Sequence, residues 1–339
     1  MNEIVFHPDR DLDLIGVGRL CIDLNANEIK RPMEETRTFT KYVGGSPANI
    51  TIAASRLGLR SGFIGRVADD AFGRFITGYL RQEGIDTACV VTDRPGSVTG
   101  LAFTEIKSPT ECGILMYRDH VADLNLESGD VDEAYIRRAK AIMISGTALA
   151  KSPSREAVFR VIELARKHEV VLLFDIDYRP YSWASRDEIY TYCRLAAGQC
   201  DVILGGREEF DLLEEAGGAE EEDFATAKQW FAHRARLVVV KHGGDGSIAF
   251  ERGGGVYRAG VFPAQVVKTF GAGDSFAGAF IYGLMQGWAV DRCLEYGSAS
   301  ASIVVSSHSC SEAMPSRDQI DEIIRKHMPS QLSREGTHL

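Results

Sequence analysis

From residue 130 onward, short apolar runs alternate with amphipathic segments, and this rhythm constrains the fold more than any other feature of the chain. The runs at 141–145, 170–175, 202–204 and 237–241 are continuous rather than alternating, the pattern of strands buried on both faces of a parallel sheet. Helical periodicity fills the gaps at 154–168, 186–197 and 223–233. Earlier in the chain, strands are predicted at 12–17 and 61–67 and helices at 46–57 and 70–83. The last third carries predicted helices at 272–286, 291–306 and 316–327. Alternating β and α elements predict an α/β fold with right-handed crossovers.

Two β-rich stretches, near 19–42 and 95–120, fall outside this alternation. Neither can bury both faces alone, so they are expected to pair into a small sheet. Ligands of open α/β sheets sit at the carboxyl ends of the strands, where such a sheet would serve as a lid. The expectation is one domain over residues 10–328, with a frayed polar tail at 329–339.

The formal charge of −10, with no basic block to offset it, argues against a nucleic-acid partner. No apolar run approaches the ~20 residues of a membrane helix. The N-terminal residues carry charges where a signal peptide has its apolar core, so a cytoplasmic protein is expected. The seven cysteines form no C-x-x-C pair and read as buried thiols. The eight histidines show no zinc-ligand spacing.

The sharpest local feature is Thr269-Phe270-Gly271-Ala272-Gly273-Asp274, which follows a strand-like piece at 265–268 and opens a helix. Small residues bare the backbone where a helix start has unpaired N–H groups and partial positive charge. Asp274 just inside could take a hydroxyl proton. Two readings fit: an anion site with its base, or a tight turn capped by Asp274. The spacing matches neither a Walker A loop nor a dinucleotide-binding fingerprint. A second segment, Gly44-Gly45-Ser46-Pro47-Ala48-Asn49, allows close approach of backbone to a ligand, or makes an ordinary strand–helix turn.

Together the two segments resemble the paired signatures of the ribokinase/PfkB family of sugar kinases, over about residues 10–328. The resemblance implies a three-layer α/β/α sandwich with a mostly parallel sheet and a small β-sheet lid. It also implies phosphorylation of a sugar hydroxyl by ATP with Mg2+. Asp274 matches the family base, and the amides of Gly271, Ala272 and Gly273 match its anion hole. Asp23 matches a hydroxyl-binding aspartate, beside Gly44, Gly45 and Asn49. Lys241, Gly243 and Gly246 match the segment along ATP, with His242 as a turn residue. Glu209 matches the glutamate that helps hold magnesium through water.

Two departures stand out. Gly206 replaces a usual asparagine, with Arg207 beside it either on phosphate or as a solvated helix charge. Lys268 stands where many members have an aspartate near a monovalent cation, and its ammonium could replace that cation. Asp175-Ile176-Asp177-Tyr178-Arg179, with Trp183, resembles the 2-keto-3-deoxygluconate kinase branch, as does Tyr117-Arg118. Two arginines suit a carboxylate, so a sugar acid is expected on Arg118 and Arg179. The alternatives are ATP phosphates for Arg179 and a surface pair for Arg118.

Segments 31–36, 41–49, 100–109, 145–150, 177–181 and 311–315 are closer still to a branch that phosphorylates the 6-hydroxyl of a keto-deoxy sugar acid. Both departures are marks of that branch. Rival readings are kinases of 2-keto-3-deoxygluconate or fructose, and a non-catalytic regulator on the same fold. The resemblance implies a homodimer or higher homo-oligomer through the lid.

Overall fold

The computed structural model describes residues 4–108, 111–214 and 223–327. Segment 329–339 lies outside the described residues. The chain runs through β1 (Leu12–Val17), β2 (Cys21–Ala26), β3 (Phe39–Gly44) and α1 (Ser46–Arg56). β4 (Ser61–Val67), α2 (Ala71–Gln82), β5 (Asp86–Thr92), β6 (Gly100–Ile106) and β7 (Cys112–Tyr117) follow. Then come α3 (Glu133–Arg137), β8 (Ala139–Ser145), α4 (Ser154–Lys167), β9 (Val171–Asp175) and α5 (Arg186–Ala197). β10 (Val202–Gly206), α6 (Arg207–Asp211), α7 (Asp223–Phe231) and β11 (Leu237–Lys241) complete the alternation. β12 (Ser247–Glu251), β13 (Val256–Ala259), α8 (Ala272–Met285), α9 (Val290–Val305) and α10 (Arg317–His327) close the fold.

Nine strands form one sheet in the order β13-β12-β11-β10-β9-β8-β1-β4-β5. Every pairing from β5 to β11 is parallel; β12 and β13 add antiparallel at one edge. Side-chain parity sorts the core into two layers. Ile142, Ile144, Leu172 and Phe174 face α4 and α5. Ala141, Met143, Val171 and Leu173 face α8 and α9 on the other side. The result is the ribokinase-like three-layer sandwich.

A second sheet of four strands, ordered β3-β2-β6-β7, is built from the two β-rich stretches. β2 and β6 run parallel, and the two outer pairings are antiparallel. Ile22 and Val43 of this sheet pack with Ile52 of α1 and Phe63 of β4, which seats it against the main body.

The piece at 265–268 is not a strand, contrary to its sequence pattern. Its backbone turns to the end of α9 instead, where the Val267 N–H donates to the Val305 carbonyl at 2.8 Å. It has no neighbouring strand to complete a ladder. Helix α8 reads as apolar on all sides because it is buried on all sides. Gly278 lets it cross α1 closely: a Cβ there would lie 2.5 Å from that of Ala53. This crossing brings the N-termini of α1 and α8 together.

Candidate active site

A cavity of about 1000 Å3 lies between the carboxyl ends of the large-sheet strands and the inner face of the small sheet. Asp175, Gly206 and Lys241 end β9, β10 and β11 at its floor. Asp23 and Asn25 of β2 and Met116 of β7 face it from the small sheet. Large parallel sheets place ligands at this end because the crossing loops diverge there.

Asp274 sits in the first turn of α8, which begins after Gly271 in the left-handed conformation (φ 76°). A Cβ at Gly271 would meet Cys310 Sγ at 2.8 Å, so only glycine fits this turn. The first-turn amides are open to the cavity, as a helix start requires for anion binding. Ser46 Oγ donates to Asp274 Oδ1 at 2.9 Å and Asn49 Nδ2 donates to Oδ2 at 2.8 Å. Burial, and then the nearby charge of Asp177, push the Asp274 carboxyl up; Asn49, Arg179 and Ser46 pull it back. A buried carboxylate held by two donors, with lone pairs left over, is suited to accept a proton.

The paired glycines serve neighbouring side chains rather than a ligand. A Cβ on Gly44 would fall 2.1 Å from Asp23 Oδ1, so this glycine makes room for the Asp23 carboxylate. Gly45 has φ 106°, and a Cβ there would lie 2.4 Å from the Arg19 carbonyl oxygen. Neither glycine is among the residues that line the cavity. Asp23 does line it, and burial raises its carboxyl to about 6, with Arg19 opposing and Asp274 adding to the rise.

Acids and bases alternate across the floor. Lys241 Nζ lies 3.5 Å from Asp175 Oδ2, and a Cβ on Gly273 would be 3.5 Å from the same ammonium. Lys241 therefore stands beside the start of α8. Burial pushes the Asp175 carboxyl up, against the pull of Lys241. Asp177 adopts the left-handed region (φ 41°), a strained conformation for a non-glycine residue. Ser145, Thr147 and Arg179 hold it there, Arg179 at 2.9 Å. Glu209 accepts the N–H of Tyr178 at 2.8 Å and that of Gly206 at 2.7 Å, which ties the β9 and β10 loops together. Gly243 and Gly246 line the cavity as expected of the turn after β11. His242 turns away to Asp223 at 2.8 Å.

Two expected contacts, Tyr117 and Arg118, are not brought to the cavity, and neither is Arg207, for which two readings stood open. Tyr117 points outward and is 58% exposed, because β7 alternates and its inward residues are Ile114 and Met116. Arg118 follows the strand and pairs with buried Asp123 at 2.6 Å, so it does not reach the cavity. Arg207 is held by Asp211, Glu214 and Asp223 and is a structural pair-former. Conversely, sequence reasoning missed Arg19, Ser46, Asp175 and Tyr181, all of which line the cavity. The signal for Arg19 was present: a charge inside the apolar stretch from Leu12 to Ile22. It also missed an apolar wall from residues 261–266 and α9.

A carboxylate beside an open helix start, under a small sheet on a ribokinase-like sandwich, defines a phosphotransferase that acts on a sugar hydroxyl. The sequence profile described as pfkB family carbohydrate kinase matches residues 12–317, and the chain belongs to this family. A 5-dehydro-2-deoxygluconokinase of Geobacillus kaustophilus is 61% identical over 98% of this chain and 100% of its own. A 5-dehydro-2-deoxygluconokinase of Geobacillus thermodenitrificans is 63% identical over 96% of each chain. Among solved structures, a PfkB protein from a Polaromonas species superposes with TM-score 0.78 at 27% identity, over 92% of this chain and 99% of that one. A fructokinase with bound ATP from Xylella fastidiosa shares the fold, with TM-score 0.79 at 24% identity, over 93% and 98%.

Proposed function

We propose that this chain transfers the γ-phosphoryl group of ATP to the 6-hydroxyl of 5-dehydro-2-deoxy-D-gluconate, a step of myo-inositol catabolism in the cytoplasm. The observation that carries the reading is Asp274, a buried carboxylate at an open helix start in a cavity that also holds Arg19 and Arg179. A base serves the hydroxyl, and guanidinium groups serve an acid. Relatives over nearly the whole chain bear the name of that kinase.

The transfer is in line. The hydroxyl oxygen bonds to the γ-phosphorus as the bond to the β-phosphate oxygen breaks, and Asp274 takes the hydroxyl proton. The amides of Gly271, Ala272 and Gly273 receive the charge of the moving phosphoryl, with Lys241 alongside. Asp23 orients a sugar hydroxyl; Asn49 and Ser46 keep Asp274 aimed. Gly243 and Gly246 bound the ATP side.

Hard oxygen donors on Glu209 and Asp175 fit Mg2+. Both Glu209 oxygens already accept backbone N–H bonds, so it would hold the ion through water. When bound, the ion neutralises phosphate charge. The small sheet closes over the cavity as a lid. Its outer face carries Phe39, Phe103 and Tyr117 in edge-to-face contact with Leu115 exposed beside them, which fits a second copy of the chain.

Among the described residues, no helix is long and apolar enough to cross a membrane. The test is coupled ADP release with Mg·ATP and a panel of 5-dehydro-2-deoxygluconate, 2-keto-3-deoxygluconate, fructose and ribose. A kcat/KM about 100-fold higher for the first is expected. Preference for another sugar would overturn the substrate and keep the mechanism.

A further inference from the structure

Arg19 follows β1 at the turn into β2 and is only 6% exposed, yet it lines the cavity. Its Nη1 donates to Tyr181 Oη at 3.2 Å, and its Nε is buried with no partner. Among the described residues no carboxylate forms an ion pair with it. Of the two carboxylates that feel it, Asp23 makes no ion pair with it and Asp177 is already engaged by Arg179, Ser145 and Thr147. A buried guanidinium with one neutral partner is costly, and proteins keep such a charge where an anion arrives to meet it. Arg179 also lines the cavity and lies close enough to feel repulsion from Arg19, so the two cations are neighbours there.

We infer that Arg19, with Tyr181 beside it and Arg179 nearby, forms the pocket for the carboxylate of the sugar acid, and that Arg19 sets the preference for acids over neutral sugars. This rests on the reading of the chain as a sugar-acid kinase. Arg19 lines the cavity, whereas Arg118 pairs with Asp123 outside it. The guanidinium fork matches a carboxylate with two parallel N–H bonds, and the unpartnered Nε supplies one of them. Gly45 secures the arrangement, since its missing Cβ leaves space for the Arg19 backbone. A neutral hexose would leave the Arg19 charge buried and unmet, which is how the pocket rejects it.

The test compares the wild type with Arg19→Gln, Arg19→Lys and Tyr181→Phe on 5-dehydro-2-deoxygluconate, 2-keto-3-deoxygluconate and fructose, with calorimetric ATP binding as the check of folding. Arg19→Gln is expected to raise KM for the acid about 100-fold, with a smaller effect on kcat, none on ATP binding and a lower KM for fructose. Arg19→Lys, which keeps the charge but not the fork, recovers part of the loss. An unchanged KM for the acid, or equal losses on acid and fructose, overturns the inference while the kinase assignment stands.

If Arg19→Gln does not bind ATP, Arg19→Lys decides, and an unchanged acid KM in that variant is the overturning result. If the wild type turns over neither acid, the functional reading fails on its own. Calorimetric titration with 5-dehydro-2-deoxygluconate then decides the pocket. Binding lost in Arg19→Gln upholds it, and binding that is absent or equal in both proteins overturns it.

Discussion

Asn49 Nδ2 donates to Asp274 Oδ2 at 2.8 Å, joining two helix starts 225 residues apart in the chain. The residue expected to touch the sugar thus holds the base. Ser46, one turn earlier on α1, grips the other oxygen. The two motifs of the sequence are one device, assembled by the packing of α1 on α8.

Removing the base tests its assignment directly. Asp274→Asn is expected to lower kcat by about 10²–10⁴-fold with ATP binding intact. Retained kcat in stopped-time assays would reassign the base.

The Asn49 bond also sets a pH dependence. Asp274 accepts a proton only when ionised, and burial raises its pKa, so kcat/KM falls as pH drops through that raised value. The Asn49 bond favours the ionised form. In Asn49→Ala the acid limb of the kcat/KM profile is therefore expected at higher pH than in the wild type. A limb that stays in place or moves to lower pH contradicts the role given to Asn49.

Gly44 is expected to act through Asp23. An alanine Cβ would overlap Asp23 Oδ1 at 2.1 Å and push the carboxylate off its position. Displacements of this size cost up to about 100-fold in rate, so Gly44→Ala is expected to lower kcat/KM for the sugar by about 10–100-fold. ATP binding by calorimetry should not change; a parallel loss there would mean a general collapse of the site.

Lys268 is wholly buried, and its Nζ donates to the Phe270 carbonyl at 2.7 Å, just before the Gly271 turn. We propose that a fixed ammonium in this place replaces a bound monovalent cation. Activity is expected to be the same in potassium and sodium salts. Lys268→Met should lower kcat by disordering the turn. Strong potassium activation of the wild type would show that the ammonium does not substitute for an ion.

The close crossing of α1 and α8 depends on Gly278. A Cβ there would stand 2.5 Å from Ala53 Cβ and 3.0 Å from the Ile50 carbonyl, so Gly278→Val should cost about 1–3 kcal/mol of stability. Because the crossing aligns Asn49 with Asp274, kcat should fall as well. Unchanged Tm and kcat would show that the helices can separate without harm.

The periodicity of the chain was sufficient to read most helices and the parallel strands, because a strand buried on both faces leaves an unbroken apolar run and a packed helix leaves a stripe. Asp274 and its glycine turn were legible for a similar reason: a helix start and its open amides are local. That Tyr117 lies off the cavity was not legible, because the inward face of β7 depends on its register with β6, where Ala102 pairs with Met116 and Leu101 with Tyr117. The piece at 265–268 has the composition of a strand and lacks a partner, which composition does not record.

What the sequence by itself determined is the layered α/β architecture, the small sheet as a separate unit, and the glycine turn with Asp274 at the start of α8, since each rests on periodicity or on contacts within a few residues. Which side chains share the cavity was decided only in three dimensions. Ser46 reaches Asp274 across 228 positions, and Arg19 reaches Tyr181 across 162. Whether Arg19 or Arg118 keeps a charge free for the substrate depends on which of them meets a buried carboxylate, and that is settled by tertiary packing, because burial is what makes an unpaired charge costly and therefore informative.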